Sequence, residues 1–155
     1  MVSDCSATDC EAQGVWALPV SYGGSVPVEA PCRVLIVDDD QYVRDFLGMV
    51  LQREGYLVAT AADGLQALER LGEVSPDLVV LDLMMPHLDG WGVLERLRGD
   101  DRLKVIVLSA LVDEGVKSRA HQAGAHAVLQ KPFSFVAFLE LCSSLLVGRC
   151  AQGTP

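Results

Sequence analysis

The sequence predicts an α/β fold in which a doubly wound, five-stranded parallel sheet is covered on both faces by five helices. From Cys32 onward, short apolar runs of strand length alternate with longer stretches whose apolar residues recur at helical spacing. Parallel strands need crossover connections, and right-handed crossovers place helices against the sheet. The runs are apolar at successive positions, which is typical of strands that are buried on both faces.

The first two strand–helix units are predicted from these patterns. Residues 34–37 form a continuous apolar run, and the apolar residues that follow recur at i, i+3, i+4, i+7 and i+8, as on one face of a helix. A second strand is predicted over residues 57–60. Asp63 and Gln66 then have the spacing of a capping box, which predicts the start of the second helix.

The remaining three units follow the same scheme. Strands are predicted over residues 78–81, 105–108 and 127–130, and the last helix over residues 135–147. Asp113 has the position of an N-cap for the fourth helix, and Gly124 that of its left-handed terminating residue. Five strands and five helices fill the chain from residue 32 to residue 148.

Composition and length limit the function further. The chain has 155 residues, of which 50% are apolar and 21% charged, and its formal net charge is −9. We expect one domain over residues 32–148, preceded by a flexible acidic arm at 1–31 and followed by a short tail at 149–155. The acidic excess argues against binding nucleic acid through phosphate contacts. The longest apolar stretch, residues 105–112, is far shorter than the about 20 residues that span a bilayer.

The amino terminus and the cysteines indicate a cytoplasmic protein. The first residues carry acids where a secretory leader carries Lys or Arg. The five cysteines are an odd number without a CxxC pair, which favours reduced, unpaired thiols over a disulfide framework: Cys5, Cys10, Cys32, Cys142 and Cys150. We therefore expect no disulfide.

Chemically reactive side chains follow four of the five predicted strands. Asp38, Asp39 and Asp40 follow the first strand, Asp82 ends the third, Ser109 ends the fourth, and Lys131 follows the fifth. Ligands bind outside the carboxyl ends of strands in open α/β sheets, so these groups are expected to meet at one edge. Taken singly, an Asp cluster after a strand is more often a solvated turn or a helix cap. The functional interpretation depends on their joint placement.

Clustered carboxylates need a compensating cation. Mg²⁺ prefers oxygen ligands and is held by one or two carboxylates plus water and backbone oxygen. Lys131 would add a second positive charge, and two cationic centres suit the charge on a transferring phosphoryl group. Asp82 is then a candidate nucleophile that forms an acyl phosphate.

The four stretches VLIVDDD, DLVVLDLMMPHLDG, VIVLSA and LQKPF resemble the receiver domain of two-component response regulators, over residues 32–147. The resemblance implies a flavodoxin-like strand order 2-1-3-4-5 and a stand-alone, chemotaxis-regulator-like signalling domain rather than an enzyme. A histidine kinase or phosphotransfer protein would donate the phosphoryl group, and the downstream protein target is unknown.

The resemblance also assigns roles to residues. Asp82 corresponds to the phosphoacceptor and also contributes to the Mg²⁺ site. Asp39 corresponds to the direct Mg²⁺ ligand, Asp38 to the second acid that holds the ion, and Met84 supplies a backbone carbonyl.

Ser109 and Lys131 correspond to the residues that contact the phosphoryl group, and the bond from Lys131 to Pro132 is expected to be cis. Asp40 matches no family role and is expected to be a solvated acid.

Three features bear on alternative interpretations. Val128 stands where the family usually has the aromatic residue that changes rotamer on phosphorylation, which favours as an alternative a binding module that does not use phosphorylation. A phosphohydrolase is disfavoured because Met84 stands where such enzymes carry a second acid. The last helix is apolar on more than one face, so it is either mostly buried or a surface for a homodimer or another partner.

Overall fold

The structure is a computed structural model that describes residues 30–85 and 88–150. Five parallel strands form one sheet in the order β2-β1-β3-β4-β5, which confirms the predicted topology. The strands are Arg33–Val37 (β1), Leu57–Ala61 (β2), Leu78–Asp82 (β3), Lys104–Ser109 (β4) and Ala127–Gln130 (β5). Most of the predicted arm and tail lie outside the described residues, so those boundaries stay predictions.

Five helices connect and follow the strands, as predicted. They are Gln41–Arg53 (α1), Gly64–Val74 (α2), Gly90–Leu97 (α3), Glu114–Gln122 (α4) and Phe135–Leu145 (α5). The last helix ends two residues earlier than its apolar pattern predicts. In the described part of the chain, no helix is both long and apolar enough to cross a membrane.

Side-chain caps fix where the helices begin. The Asp63 carboxylate accepts a hydrogen bond from the Gln66 amide at 2.8 Å, and the Gln66 side chain in turn accepts from the amide of Ala62. The Asp113 carboxylate caps α4 in the same way. These contacts confirm Asp63 and Asp113 as N-caps, but the predicted capping box is not complete, because Gln66 accepts from Ala62 and not from the amide of Asp63. Gly124 has φ of +107°, as expected for a left-handed terminating residue.

The core consists of two layers, one on each face of the sheet. Helices α2, α3 and α4 pack on one face, through residues such as Ala67, Val93 and Ala120. Helices α1 and α5 pack on the other, through residues such as Leu47 and Phe138. Strands β1 and β3 contribute to both layers, which explains their uninterrupted apolar sequences.

The last helix is buried on one face and exposed at its first turn. Phe138, Cys142 and the C-cap residue Leu146 are fully buried against the sheet. Phe135 and Val136 are 50% and 53% exposed, and the Phe135 ring packs edge-on against Phe46 of α1 at 6.4 Å between centroids. The helix therefore has a buried face and a partly exposed apolar end.

The expectation of unpaired cysteines is wrong for Cys32 and Cys150. The structure joins them by a disulfide, with 5.1 Å between their Cα atoms, although the two residues are 118 positions apart in sequence. The number of cysteines does not show which parts of the chain lie close together in the folded protein. Helix α5 packs antiparallel to the strands in this alternating architecture, so its carboxyl end returns to the edge where β1 begins.

Cys142 is free and buried, and we expect it to be chemically inert in the folded protein. Burial raises the pKa of its thiol to about 12, so very little thiolate is present at neutral pH. Alkylation of Cys142 by iodoacetamide should be at least about 100-fold slower in buffer than in denaturant. Equal rates in the two conditions would contradict this burial. The rates are measurable by peptide mass spectrometry.

Candidate functional site

Asp38 lies directly after β1 and is held in place from three sides. Its amide donates to the carbonyl of Ala61 at 3.2 Å, and its carbonyl accepts from the guanidinium of Arg44 at 2.7 Å. One carboxylate oxygen accepts from the amide of Asp40 at 2.9 Å. Its side chain is buried, so this carboxylate has a fixed position at the carboxyl edge of the sheet.

The next two acids differ in role. Asp39 is exposed beside Asp38. Asp40 is exposed too, but it is not merely a solvated acid, because its carboxylate caps α1 by accepting from the amide of Tyr42 at 2.9 Å. The prediction for Asp40 was therefore incomplete, and its residue type fits an ordinary N-cap.

Asp82 is the last residue of β3, in the middle of the sheet, and is only 5% exposed. One of its carboxylate oxygens accepts from the amide of Met84 at 3.1 Å. Oxygens of Asp38, Asp39 and Asp82 lie within 4.8 Å of one another. The structure therefore brings these three predicted acids together, and Met84 contacts Asp82 through its backbone amide.

Lys131 directly follows β5 and reaches across the sheet edge to the acids. Its ammonium lies 2.7 Å from the Asp38 carboxylate and 3.5 Å from that of Asp82. The bond from Lys131 to Pro132 is cis, as expected. Lys131 thus pairs more closely with Asp38 than with Asp82, a preference that the sequence did not indicate.

Ser109 ends β4 at the same edge. In the β3–β4 register Asp82 pairs with Leu108, so Ser109 lies one residue further along the edge, and its carbonyl accepts from the amide of Lys131 at 2.8 Å. The Ser109 hydroxyl donates to the carbonyl of Leu111 at 2.9 Å and accepts from that residue's amide at 3.3 Å. The hydroxyl thus belongs to a residue at the edge that carries the acids, but it is bonded to the following loop.

The electrostatics of the site favour a cation. Burial raises the pKa of Asp82, and the charges of Asp38 and Asp39 add to this effect, while the Met84 amide and the Lys131 ammonium oppose it. Burial lowers the pKa of Lys131, but its hydrogen bonds and attraction to Asp38 and Asp82 outweigh burial and leave the pKa raised. One ammonium faces three carboxylates, so a net negative charge remains.

The available donor atoms fit a hard divalent cation such as Mg²⁺. Asp38, Asp39 and Asp82 offer only carboxylate oxygens, and exposed Asp39 leaves one side of the cluster open to solvent. Oxygen ligands with open positions for water suit Mg²⁺, whereas Zn²⁺ sites in proteins usually include thiolate or imidazole ligands.

Sequence reasoning missed two residues that shape the site. Arg44 fixes the backbone of Asp38, as described above. Gly90 begins α3 immediately against the end of β3: a Cβ atom there would lie 2.5 Å from the Cα of Leu83 and closer still to the carbonyl oxygen of Asp82. Its position directly after the capping Asp89, at the start of a helix, was the available signal, because glycine is the residue that permits a close approach of backbone.

Comparison with known proteins gives one consistent result. Residues 34–142 match the family model of the response regulator receiver domain. The chemotaxis protein CheY of Treponema pallidum is 41% identical over 127 residues, which cover 79% of this chain and 88% of that protein. The response regulator MprA of Mycobacterium sp. (strain KMS) is 43% identical over 118 residues, 75% of this chain and 51% of MprA.

The chain spans only part of some relatives. A probable transcriptional regulator, ycf27 of Guillardia theta, is 41% identical over 109 residues, which cover 70% of this chain but 43% of the regulator. Among solved structures, the chemotaxis protein CheY4 of Vibrio cholerae superposes with a TM-score of 0.71 at 29% identity, covering 76% of this chain and all of that one. The receiver domain of Francisella response regulator 1452 gives 0.69 at 33% identity, covering 74% and 95%.

Proposed function

This chain belongs to the response regulator receiver domain family, and we propose that it accepts a phosphoryl group on Asp82 in a Mg²⁺-dependent reaction. The donor is a histidine kinase or a phosphotransfer protein. One observation carries the proposal: a nearly buried carboxylate ends the central strand β3, within reach of an ammonium group and two further carboxylates. Output through contacts with a downstream protein completes the signalling role.

The side chains have distinct parts in the transfer. An oxygen of ionised Asp82 attacks the phosphorus, the bond from phosphorus to the donor breaks, and Asp82 becomes an acyl phosphate. Lys131 is placed to neutralise the new negative charge, since its ammonium already lies 3.5 Å from Asp82. The Ser109 hydroxyl would exchange its bond to Leu111 for one to a phosphoryl oxygen.

Asp38, Asp39 and Asp82 would hold Mg²⁺, together with the backbone carbonyl of Met84. When bound, the ion reduces the repulsion among the carboxylates and the incoming phosphoryl oxygens. Asp38 is the best-anchored of these ligands, because Arg44, Asp40 and Lys131 all bond to it.

The proposal is tested by offering the purified protein a small acyl phosphate such as acetyl phosphate. With Mg²⁺, the intact mass should rise by one phosphoryl group. Chelation of the metal should slow the addition at least about tenfold. A mass that stays unchanged with both reagents present would contradict the proposal.

Two neighbouring acids provide a matched test of the metal site. Asp39→Asn should weaken Mg²⁺ binding about tenfold or more, since it removes one of three clustered carboxylates. Asp40→Asn should leave binding within about twofold, because asparagine caps a helix as well as aspartate does. Isothermal titration calorimetry measures both affinities without any phosphoryl donor. Equal effects of the two substitutions would contradict the assignment of Asp39.

A second candidate function, a binding module on the same fold that does not use phosphorylation, is favoured by Val128. This residue lies in β5 opposite Val107, partly buried against the core, and carries no ring that can move. The two functions differ in what phosphorylation does to the rest of the domain. The amide NMR signals of residues in β4, α4 and β5 should shift on phosphorylation if the domain is a switch. They should stay unchanged if the domain is only a binding module.

The exposed end of α5 is the surface that we propose for protein contacts, either with a second copy of the chain or with the downstream target. Phe135 and Val136 are half exposed there, and Phe46 of α1 extends the apolar surface.

A further inference from the structure

Two cysteines meet at the amino edge of the sheet, opposite the carboxyl edge that carries Asp82. Cys32 immediately precedes β1 and is 1% exposed. Cys150 follows α5 and is partly exposed. Their disulfide links positions 118 apart in sequence and ties the end of the described chain to the start of its first strand.

The surrounding contacts hold both partners in place. The carbonyl of Cys32 accepts from the amide of Leu57, which fixes Cys32 to β2 at 3.0 Å. Next to Cys150, the guanidinium of Arg149 donates to the carbonyls of Asp101 and Arg102. The chain after α5 is therefore anchored by a covalent bond and by an arginine that spans to the loop before β4.

We propose that Cys32 and Cys150 form a reversible redox site, in which a dithiol reductant attacks the sulfur of Cys150. The choice of Cys150 follows from exposure, because Cys32 is almost completely covered and Cys150 is not. This site lies at the opposite edge from the phosphoacceptor and gives the domain an input that is chemically independent of phosphorylation.

The exchange is a two-electron reduction of the Cys32–Cys150 disulfide by the dithiol. A thiolate of the dithiol bonds to the Cys150 sulfur, the bond between Cys150 and Cys32 breaks, and Cys32 leaves as a thiolate that takes up a proton. The second thiol of the reductant then displaces Cys150, which also ends as a thiol, and the reductant becomes a cyclic disulfide. Oxidation by a small disulfide reverses both steps.

Two neighbours define the chemistry of the pair. A carboxylate oxygen of Asp77 lies within 4.8 Å of both sulfurs, so the pair lies beside an acidic side chain. Cys142, eight residues before Cys150, is fully buried and does not compete in the exchange.

Counting free thiols across dithiol–disulfide mixtures tests the proposal. The protein is used with Cys5→Ser and Cys10→Ser, so that three cysteines remain, and is acid-quenched, denatured and alkylated before its intact mass is measured. The number of alkylated cysteines should rise from one to three as the proportion of dithiol in the mixture increases. Adding Cys142→Ser should give the same transition from no label to two.

Reduction should also change the folded protein measurably. We expect the thermal midpoint to fall by about 10 °C, since a long closed loop is opened. Amide hydrogen exchange should increase in residues 146–150 while residues 78–82 stay protected. Three labels at every mixture would overturn the proposal because no bond forms. One label in excess dithiol under native conditions would overturn it equally, because the bond would then be permanent.

Discussion

Replacing Asp82 with asparagine is expected to abolish phosphoryl incorporation, leaving less than about one hundredth of the wild-type rate. The amide keeps the shape of the side chain but has no anionic oxygen to attack phosphorus. The fold should survive, because Asp82 is destabilised by burial beside Asp38 and Asp39, and removing its charge relieves that repulsion. Intact mass spectrometry after incubation with an acyl phosphate and Mg²⁺ measures the loss.

Asp63→Asn is the matched control for this experiment. Asp63 is another aspartate just beyond a strand end, but its carboxylate caps α2 and is not part of the acidic cluster. Its asparagine variant should incorporate phosphoryl at the wild-type rate. Comparable incorporation by Asp82→Asn and Asp63→Asn would mean that the acceptor is some other residue.

Replacing Gly90 with alanine is expected to lower the free energy of unfolding by about 3 kcal/mol or more. The added methyl group would overlap the backbone of Asp82 and Leu83, and neither can move aside as a side-chain rotamer can. Because the overlap falls on the end of β3, the position of the Asp82 carboxylate should change as well. Urea denaturation followed by circular dichroism measures the stability.

Gly72→Ala provides the comparison within the same protein. Gly72 lies inside α2, and a Cβ atom there would have no neighbour within 4 Å. Alanine should therefore stabilise the protein by about 0.5–1 kcal/mol through helix propensity alone. If the two glycine variants had the same stability, the proposed close approach of α3 to β3 would be wrong.

Much of the fold and of the acid cluster could be predicted because both depend on local signals. The uninterrupted apolar strands indicated a sheet covered on both faces. In a parallel sheet, residues at strand ends such as Asp38, Asp82 and Lys131 must share one edge. The sequence shows where each strand ends, and this is enough to predict which side chains lie at the carboxyl edge of the sheet.

The finer geometry depended on contacts that the sequence does not contain. Lys131 follows β5, which is separated from β1 by β3 and β4, yet its ammonium lies closer to Asp38 than to Asp82. The Ser109 hydroxyl bonds to Leu111 because the loop after β4 turns back on itself. The disulfide from Cys32 to Cys150 depends on where α5 ends relative to β1, and cysteine spacing gave the wrong expectation.

The chemical identity of the modified residue tests the central claim most directly. After incubation with an acyl phosphate and Mg²⁺, hydroxylamine should remove the added phosphoryl group, as expected for an acyl phosphate. Tandem mass spectrometry of the untreated protein should place that group on Asp82. A hydroxylamine-resistant phosphoryl group, or one located on Ser109 or any other residue, would contradict the account.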